Sequence, residues 1–244
     1  MPAEPTVSTS DGRATDPRTN RLLAALPAEE YAPLRAHLEL IDMPVGRIIY
    51  EPNEVPRHVY FPLTGCTSIV VGLEDGEMVE AGTVGREGIV GLAAFLGTDT
   101  GPLTTLAQVP GTFARLPVAV FRDVAAEGSR LHALLLRFTQ AFYVLAAQSA
   151  GCNTLHPMAA RCARWLLLTH DRTDGDTFHL TQEFLGYMLG VRRPSVTVAA
   201  ATLQQAGLIT YQRGVITILD RPGLEAAACG CYAIIAAEYT RLLA

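Results

Sequence analysis

The sequence predicts an α+β chain made of an N-terminal antiparallel β-roll, one long helix and a C-terminal winged helix-turn-helix. Three observations lead there. Brief β-like runs, "RIIYE", "HVYFP", "CTSIVVGL", "MVEAGTV" and "FARLPV", crowd the first half between turn residues, as in antiparallel rolls and barrels. After Phe121 the apolar period changes from 2 to about 3.5, the period of a helix with one continuous seam. Near the C-terminus, two short helical patterns joined at Gly190 are followed by an alternating stretch that turns at Arg213-Gly214.

Residues 1 to 20 hold little to bury and read as a disordered tail. "RLLAALPAEEYAPLRAHLEL" reads as two short helices punctuated by Pro27 and Pro33. Within the β-roll, assigned to 21–128, Asp75-Gly76 marks a tight hairpin turn, because Gly supplies positive φ cheaply. The long helix is assigned to 129–155. Along it Leu131, Leu135, Phe138, Phe142 and Leu145 recur at spacings of 4, 3, 4 and 3, and this ridge is the expected homodimer seam. His156-Pro157 redirects the chain, and "MAARCARWLLLTH" begins another helix in a C-terminal domain assigned to 156–244.

Composition narrows the function classes. The chain has 244 residues, 49% hydrophobic and 18% charged, ordinary for a globular protein. No apolar run approaches the roughly 18 to 20 residues that span a bilayer, so no membrane partner and a cytoplasmic location are expected. All 19 basic residues are arginine, which is given no functional weight. Residues 156–244 hold 8 Arg against 7 acidic residues, and the rest of the chain 11 against 17, a weak bias of the C-terminal part toward nucleic acid. Cys66, Cys152, Cys162, Cys229 and Cys231 are odd in number and irregularly spaced. They fit neither a disulfide framework nor a zinc site, and no metal is expected. Cys152 and His156 stand four apart, but with no further ligand nearby ordinary packing is the reading preferred. No Gly-rich phosphate loop, nucleophile elbow or acid/base pair is present, and Glu77, Glu80 and Glu87 read as solvated positions rather than a catalytic set. An enzyme is not expected.

The informative stretch is "LTQEFLGYMLGVRRPSVTVAAATLQQAGLITYQRGVITILD". Thr181 caps a helix over 182–189, and Gly190 stops it. Pro194 suits the first turn of the next helix, where its missing N–H costs nothing. Val196, Ala199, Ala200 and Leu203 form that helix's buried stripe. Opposite lie Pro194, Thr197, Val198, Ala201 and Gln205, a small and nearly uncharged face. Such a face suits a major groove, with apolar contacts to thymine methyls and Gln to adenine. Arg192 and Arg193 at the helix start can hold phosphate or reach guanine, and Arg213 at the hairpin tip can touch backbone phosphate. The candidate DNA-contact set is Thr181, Gln182, Arg192, Arg193, Pro194, Ser195, Thr197, Val198, Gln205 and Arg213.

This order of parts resembles the Crp/Fnr family of bacterial transcription regulators, over about residues 21–220. The resemblance is most specific in "PVGRIIYEPNEVPRHVYFPLTG" and "LTQEFLGYMLGVRRPSVTVAAATLQQAGLI". It implies a cyclic nucleotide-binding-like sensor roll of the double-stranded β-helix type, and a homodimer on a two-fold operator in double-stranded DNA near promoters. RNA polymerase and an unidentified small-molecule effector are the further partners expected. "RPGLEAAACGCYAIIAAEYTRLLA" looks like an added helix.

Two departures from the family pattern carry expectations. Cyclic nucleotide binders carry a Gly-Glu pair for the ribose and an Arg for the phosphate; here Leu92 follows Gly91, and no Arg occurs from Ile89 to Ala114. Cyclic AMP binding is therefore not expected. Residues 1 to 65 lack the cysteine cluster of iron-sulfur members, nothing supports haem, and no cofactor is expected. Many relatives read DNA with a Glu and an Arg at the positions of Pro194 and Val198, so the operator should differ from the family consensus. The rival reading is a small-molecule sensor acting through protein contacts, with a decayed DNA domain.

Overall fold

The computed structural model describes residues 16–73, 77–98 and 100–243. Most of the expected tail and the Asp75-Gly76 turn lie outside the described residues. The end of that tail does not behave as a tail. Pro17–Thr19 form a 3-10 turn, and Asn20 is fully buried. Its Oδ1 accepts from the Leu22 and Leu23 amides and its Nδ2 donates to the Pro62 and Gly88 carbonyls. Those bonds start α1 (Arg21–Ala24) and pin it to the roll. Pro33 does not punctuate α2 (Ala28–Arg35) but sits inside it. Proline there forgoes one helical bond, from its own position back to the Glu29 carbonyl.

The roll is two antiparallel sheets. One has the order β1 (Glu39–Met43), β7 (Gly111–Pro117), β3 (His58–Pro62). The other runs β2 (Ile48–Tyr50), β6 (Thr104–Val109), β4 (Cys66–Gly72), β5 (Met78–Val84). β1 and β6 had no counterpart among the expected strands. Val59, Phe61, Phe113 and Leu116 are fully buried between the layers, and α3 (Val118–Val124) closes one end with Phe121.

Helix α4 (Arg130–Leu155) starts at Ser129, whose hydroxyl accepts from the His132 amide. The expected dimer seam is turned the other way. Leu131, Leu135, Phe138 and Leu145 are each at most 1% exposed and Phe142 is half-buried, all within the core of their own protomer. The ring of Phe138 lies where a Cβ on Gly88 would sit, so this ridge is spent on the roll. A second stripe, Leu136, Gln140, Tyr143, Ala147, Ala150 and Thr154, keeps the same 4-3 spacing and faces outward. Leu136 and Tyr143 on it are 53% and 68% exposed.

The C-terminal domain comprises α5 (Met158–His170), β8 (Thr177–His179), α6 (Gln182–Leu189), α7 (Arg193–Gln205), β9 (Ile209–Gln212) and β10 (Val215–Ile218), the strands ordered β8-β10-β9. Its core gathers Trp165, Leu166, Leu185, Met188, Val196, Leu203 and Ile216. The extension is two helices rather than one, α8 (Arg221–Ala227) and α9 (Cys231–Leu243). Instead of belonging to the C-terminal domain, α9 returns to lie along α4, placing Ile235 and Tyr239 in the core of the roll.

Glu80 and Glu87 are not solvated. Glu80, on β5, is 7% exposed and accepts from Trp165 Nε1 at 3.0 Å. Glu87, 6% exposed, pairs with Arg172 Nε at 2.7 Å. Both carboxylates come from the roll and both partners from α5 or its end, so the acidic residues join the domains.

Candidate nucleic-acid interface and sensor cavity

The helix-turn-helix forms as its sequence dictates. Thr181 Oγ1 accepts from the Phe184 amide and begins α6. Gly190 takes φ +61°, the left-handed C-cap that glycine adopts without a Cβ penalty, and its own bare Cα lets the turn approach Val79 on β5. α7 then opens with Pro194 in its first turn. Val196, Ala199, Ala200 and Leu203 are buried beneath it. Arg192, Arg193, Pro194, Ser195, Thr197, Val198, Ala201 and Gln205 are all exposed, with Val198 68% exposed.

The wing is anchored to this pair. Tyr211 Oη donates to the Leu180 carbonyl at 2.8 Å, and Gln204 Oε1 accepts from the Tyr211 amide at 2.7 Å. Arg213 and Gly214 have φ of +51° and +77°, the paired positive values of a tight primed hairpin turn. Thr181, Gln182, Arg193, Tyr211, Arg213 and Gly214 line a concavity of about 420 Å³ between helices and wing. Gln182 is half-buried, and its Oε1 accepts from Thr197 Oγ1 at 3.0 Å and faces Arg193 Nε at 3.5 Å, so it orders the first turns of α7. Of the ten expected contact residues, Thr181, Gln182, Arg193 and Arg213 line this concavity, and Arg192, Pro194, Ser195, Thr197, Val198 and Gln205 are exposed at the start of α7 or along it.

A second cavity of about 500 Å³ lies between the roll and α4. Its walls include Tyr50, Glu51, Glu54, Ile69, Val84, Ile89 and Leu92 from the roll, and Phe138, Thr139, Phe142, Tyr143 and Ala146 from α4. The lining is largely apolar, and among the described residues its charged members are Glu51 and Glu54.

The cysteines hold what the sequence reasoning missed. Cys152 and His156, on the last turn and C-cap of α4, meet Cys229, two residues before α9, and Cys231, its first residue, with the four donor atoms all within 4.8 Å of one another. The preference for ordinary packing assumed no further ligand near Cys152 and His156; the return of α9 supplies two. Spacing along the chain could not show this, because 73 or more residues separate the pairs.

A model of the cyclic nucleotide-binding domain matches residues 41–127, and one of the Crp-like helix-turn-helix domain matches 160–227. The chain belongs to the Crp/Fnr family. Solved structures agree on the fold of this Crp/Fnr protein. FixK2 from Bradyrhizobium japonicum superposes with TM-score 0.67 at 17% identity, covering 79% of this chain and 98% of the other. The c-di-GMP responsive global regulator CLP of Xanthomonas campestris gives 0.61 at 16%, covering 79% and 99%. A CRP-family transcriptional regulator from Thermus thermophilus gives 0.60 at 23%, covering 77% and 96%. No curated protein matches this chain. It is a Crp/Fnr-type regulator with a helix-turn-helix DNA-binding domain, and no helix among the described residues is long and apolar enough to cross a membrane.

Proposed function

We propose that this Crp/Fnr protein acts in the bacterial cytoplasm as a homodimer that reads a two-fold operator, one α7 per half-site, and answers to a small molecule held between roll and α4. The observation that carries the reading is the outer side of α7. Its exposed residues are small and uncharged, while arginines stand at its start and on the wing. A helix solvated only by water would be expected to carry more charge there; one pressed against base edges would not. Two such helices set roughly 34 Å apart by a dimer would meet successive turns of one DNA face.

For the dimer, the outward stripe of α4 replaces the buried ridge as the contact. Tyr143 lies on that stripe and also lines the cavity, so a partner helix would roof the effector site. The cavity suits an uncharged or apolar effector rather than cyclic AMP. A cyclic phosphate inside it would face Glu51 and Glu54 with no arginine among the described lining residues, and an unpaired buried anion costs several kcal/mol. Calorimetry should find a dissociation constant for cyclic AMP weaker than about 1 µM; tighter binding refutes this assignment. RNA polymerase is the proposed partner at the promoter.

Selecting DNA from a random pool with the purified protein, with and without cell metabolites, tests the whole reading. A palindromic site should emerge. Combined Arg192→Glu, Arg193→Glu and Arg213→Glu should weaken binding to it by about 100-fold or more, at about 1 kcal/mol or more per lost contact, and leave the dimer intact. Recovery of no preferred sequence would instead support a sensor acting through protein contacts.

A further inference from the structure

We propose that Cys152, His156, Cys229 and Cys231 hold one thiophilic divalent cation, zinc by the chemistry of the donors, which fastens the C-terminal helix α9 to the end of α4. Three thiolates and an imidazole are one of the standard structural zinc sets. The distances match a single tetrahedral ion. Sulfurs bound at about 2.3 Å from zinc stand about 3.8 Å apart. Here Cys152 Sγ and Cys229 Sγ are 3.3 Å apart, Cys231 Sγ and His156 Nδ1 are 3.6 Å apart, and no pair of donors exceeds 4.8 Å. An iron-sulfur cluster would spread its thiolates over several metal atoms, so four donors this close point to one ion.

The local construction favours it. Cys152 and His156 are one helical turn apart on α4, and His156 is fixed as the C-cap, its amide donating to the Cys152 carbonyl. Cys152 and Cys231 are buried, while Cys229 and His156 are half-buried and leave a path of entry. The charge also balances. Three thiolates and a neutral imidazole around a divalent ion carry a net charge of −1. Beside Cys152 lies Arg164, only 3% exposed, with no salt bridge among the described residues and its Nε lacking a hydrogen-bond partner. Its Nη1 donates to Ser149 Oγ at 3.3 Å and its charge is also felt by the buried Glu80 carboxyl; an anionic metal centre would add a counter-charge on the side of Cys152.

Bound metal would act as a staple. α9 joins the molecule through its packing on α4 and through Tyr239, and the site secures its first turn where α4 hands over to the DNA-binding domain.

The full-length protein, purified under reducing conditions after growth with added zinc, should contain about one zinc per chain. Replacing zinc by Co²⁺ should give the visible d–d bands and thiolate charge-transfer absorption of a tetrahedral sulfur-rich site, a readout that requires no variant. Cys229→Ser and Cys231→Ser should weaken Co²⁺ binding by at least about tenfold, whereas Cys66→Ser, at a buried cysteine outside the cluster, should not. Chelation should speed proteolysis within α9. The proposal is overturned if the reduced wild-type protein takes up less than about a tenth of an equivalent of Zn²⁺ or Co²⁺, if the Co²⁺ spectrum is octahedral, or if the two cysteine variants bind as wild type. Mass spectrometry showing only a Cys152–Cys229 disulfide in protein that takes no metal after reduction would overturn it too.

Discussion

Glu80 shows how far one residue's environment can depart from its sequence appearance. In "EMVEAGTV" it reads as a polar strand position open to water, but β5 is covered on that face by α5, and the carboxyl lies under Trp165. Burial raises its pKa from 4.5 to about 7, against the opposing pull of Ser68, Arg164 and Trp165. A proton on Glu80 also orders its neighbours. Glu80 can then donate to Ser68 Oγ, which donates to Gln108 Oε1, while Gln108 Nε2 donates to Thr169 Oγ1 on α5. Because the folded pKa lies above the unfolded one, the folded state binds this proton more tightly between pH 4.5 and 7. Stability is therefore fully present below about 4.5 and falls as pH rises through about 7, by up to about 3 kcal/mol. Urea unfolding of Glu80→Gln should lack this component, so the gap between variant and wild type should change from about pH 5 to about pH 8; parallel profiles would contradict it. Asn20 makes the same point about legibility. A lone asparagine closing a Ser/Thr/Pro-rich stretch gives no local sign that it will bond two distant carbonyls, because those partners arrive only with the tertiary fold.

At the scale of elements, local signals read well and shared surfaces read poorly. The bounds of α5, α6 and α7 were visible because Pro157, Thr181, Gly190 and Pro194 act on their own neighbours through backbone geometry. β1 was missed because "ELIDM" alternates weakly, and its place comes from pairing with β7. α4 is the informative failure. Two stripes of equal spacing run along it, and periodicity alone cannot tell which meets the protomer's own roll. The more apolar one, with both phenylalanines, was bound to be taken by the larger core. Substitutions separate the two stripes. Phe138→Ala removes a ring that is 1% exposed and should cost about 3–5 kcal/mol in unfolding experiments. Tyr143→Glu, at an exposed site, should leave the melting of the protomer nearly unchanged but, on the proposed dimer, shift light scattering from dimer to monomer. If Tyr143→Glu stays dimeric and Phe138→Ala dissociates without destabilisation, the buried ridge is the dimer seam after all.

At the scale of the whole molecule, the roll and the DNA-binding domain share apolar packing, with Val70 and Leu106 of the roll in the C-terminal core and Leu168 of α5 in the core of the roll, and they are also joined by buried polar groups that converge on Arg172. It stands just past α5. It pairs with Glu87 of the roll, donates to the Leu168 carbonyl at 2.7 Å, and lies with its guanidinium 5.5 Å from the ring centre of Tyr239 on α9. Burial alone would weaken its charge, yet the Glu87 carboxylate beside it holds its pKa above the usual arginine range. Such a pair contributes little net stability relative to a well-packed apolar one, but removing one member strands the other charge in the interior. Arg172→Leu should therefore cost about 3–5 kcal/mol, while the double change Arg172→Leu with Glu87→Leu should recover most of it. The double variant should keep its fold by circular dichroism yet lose the polar register between roll and DNA domain. If the pair transmits effector binding, the variant will bind the selected operator equally well with and without the effector. An unchanged response would place the coupling elsewhere, in the contact of α6 with β5 or in the packing of α9 on α4.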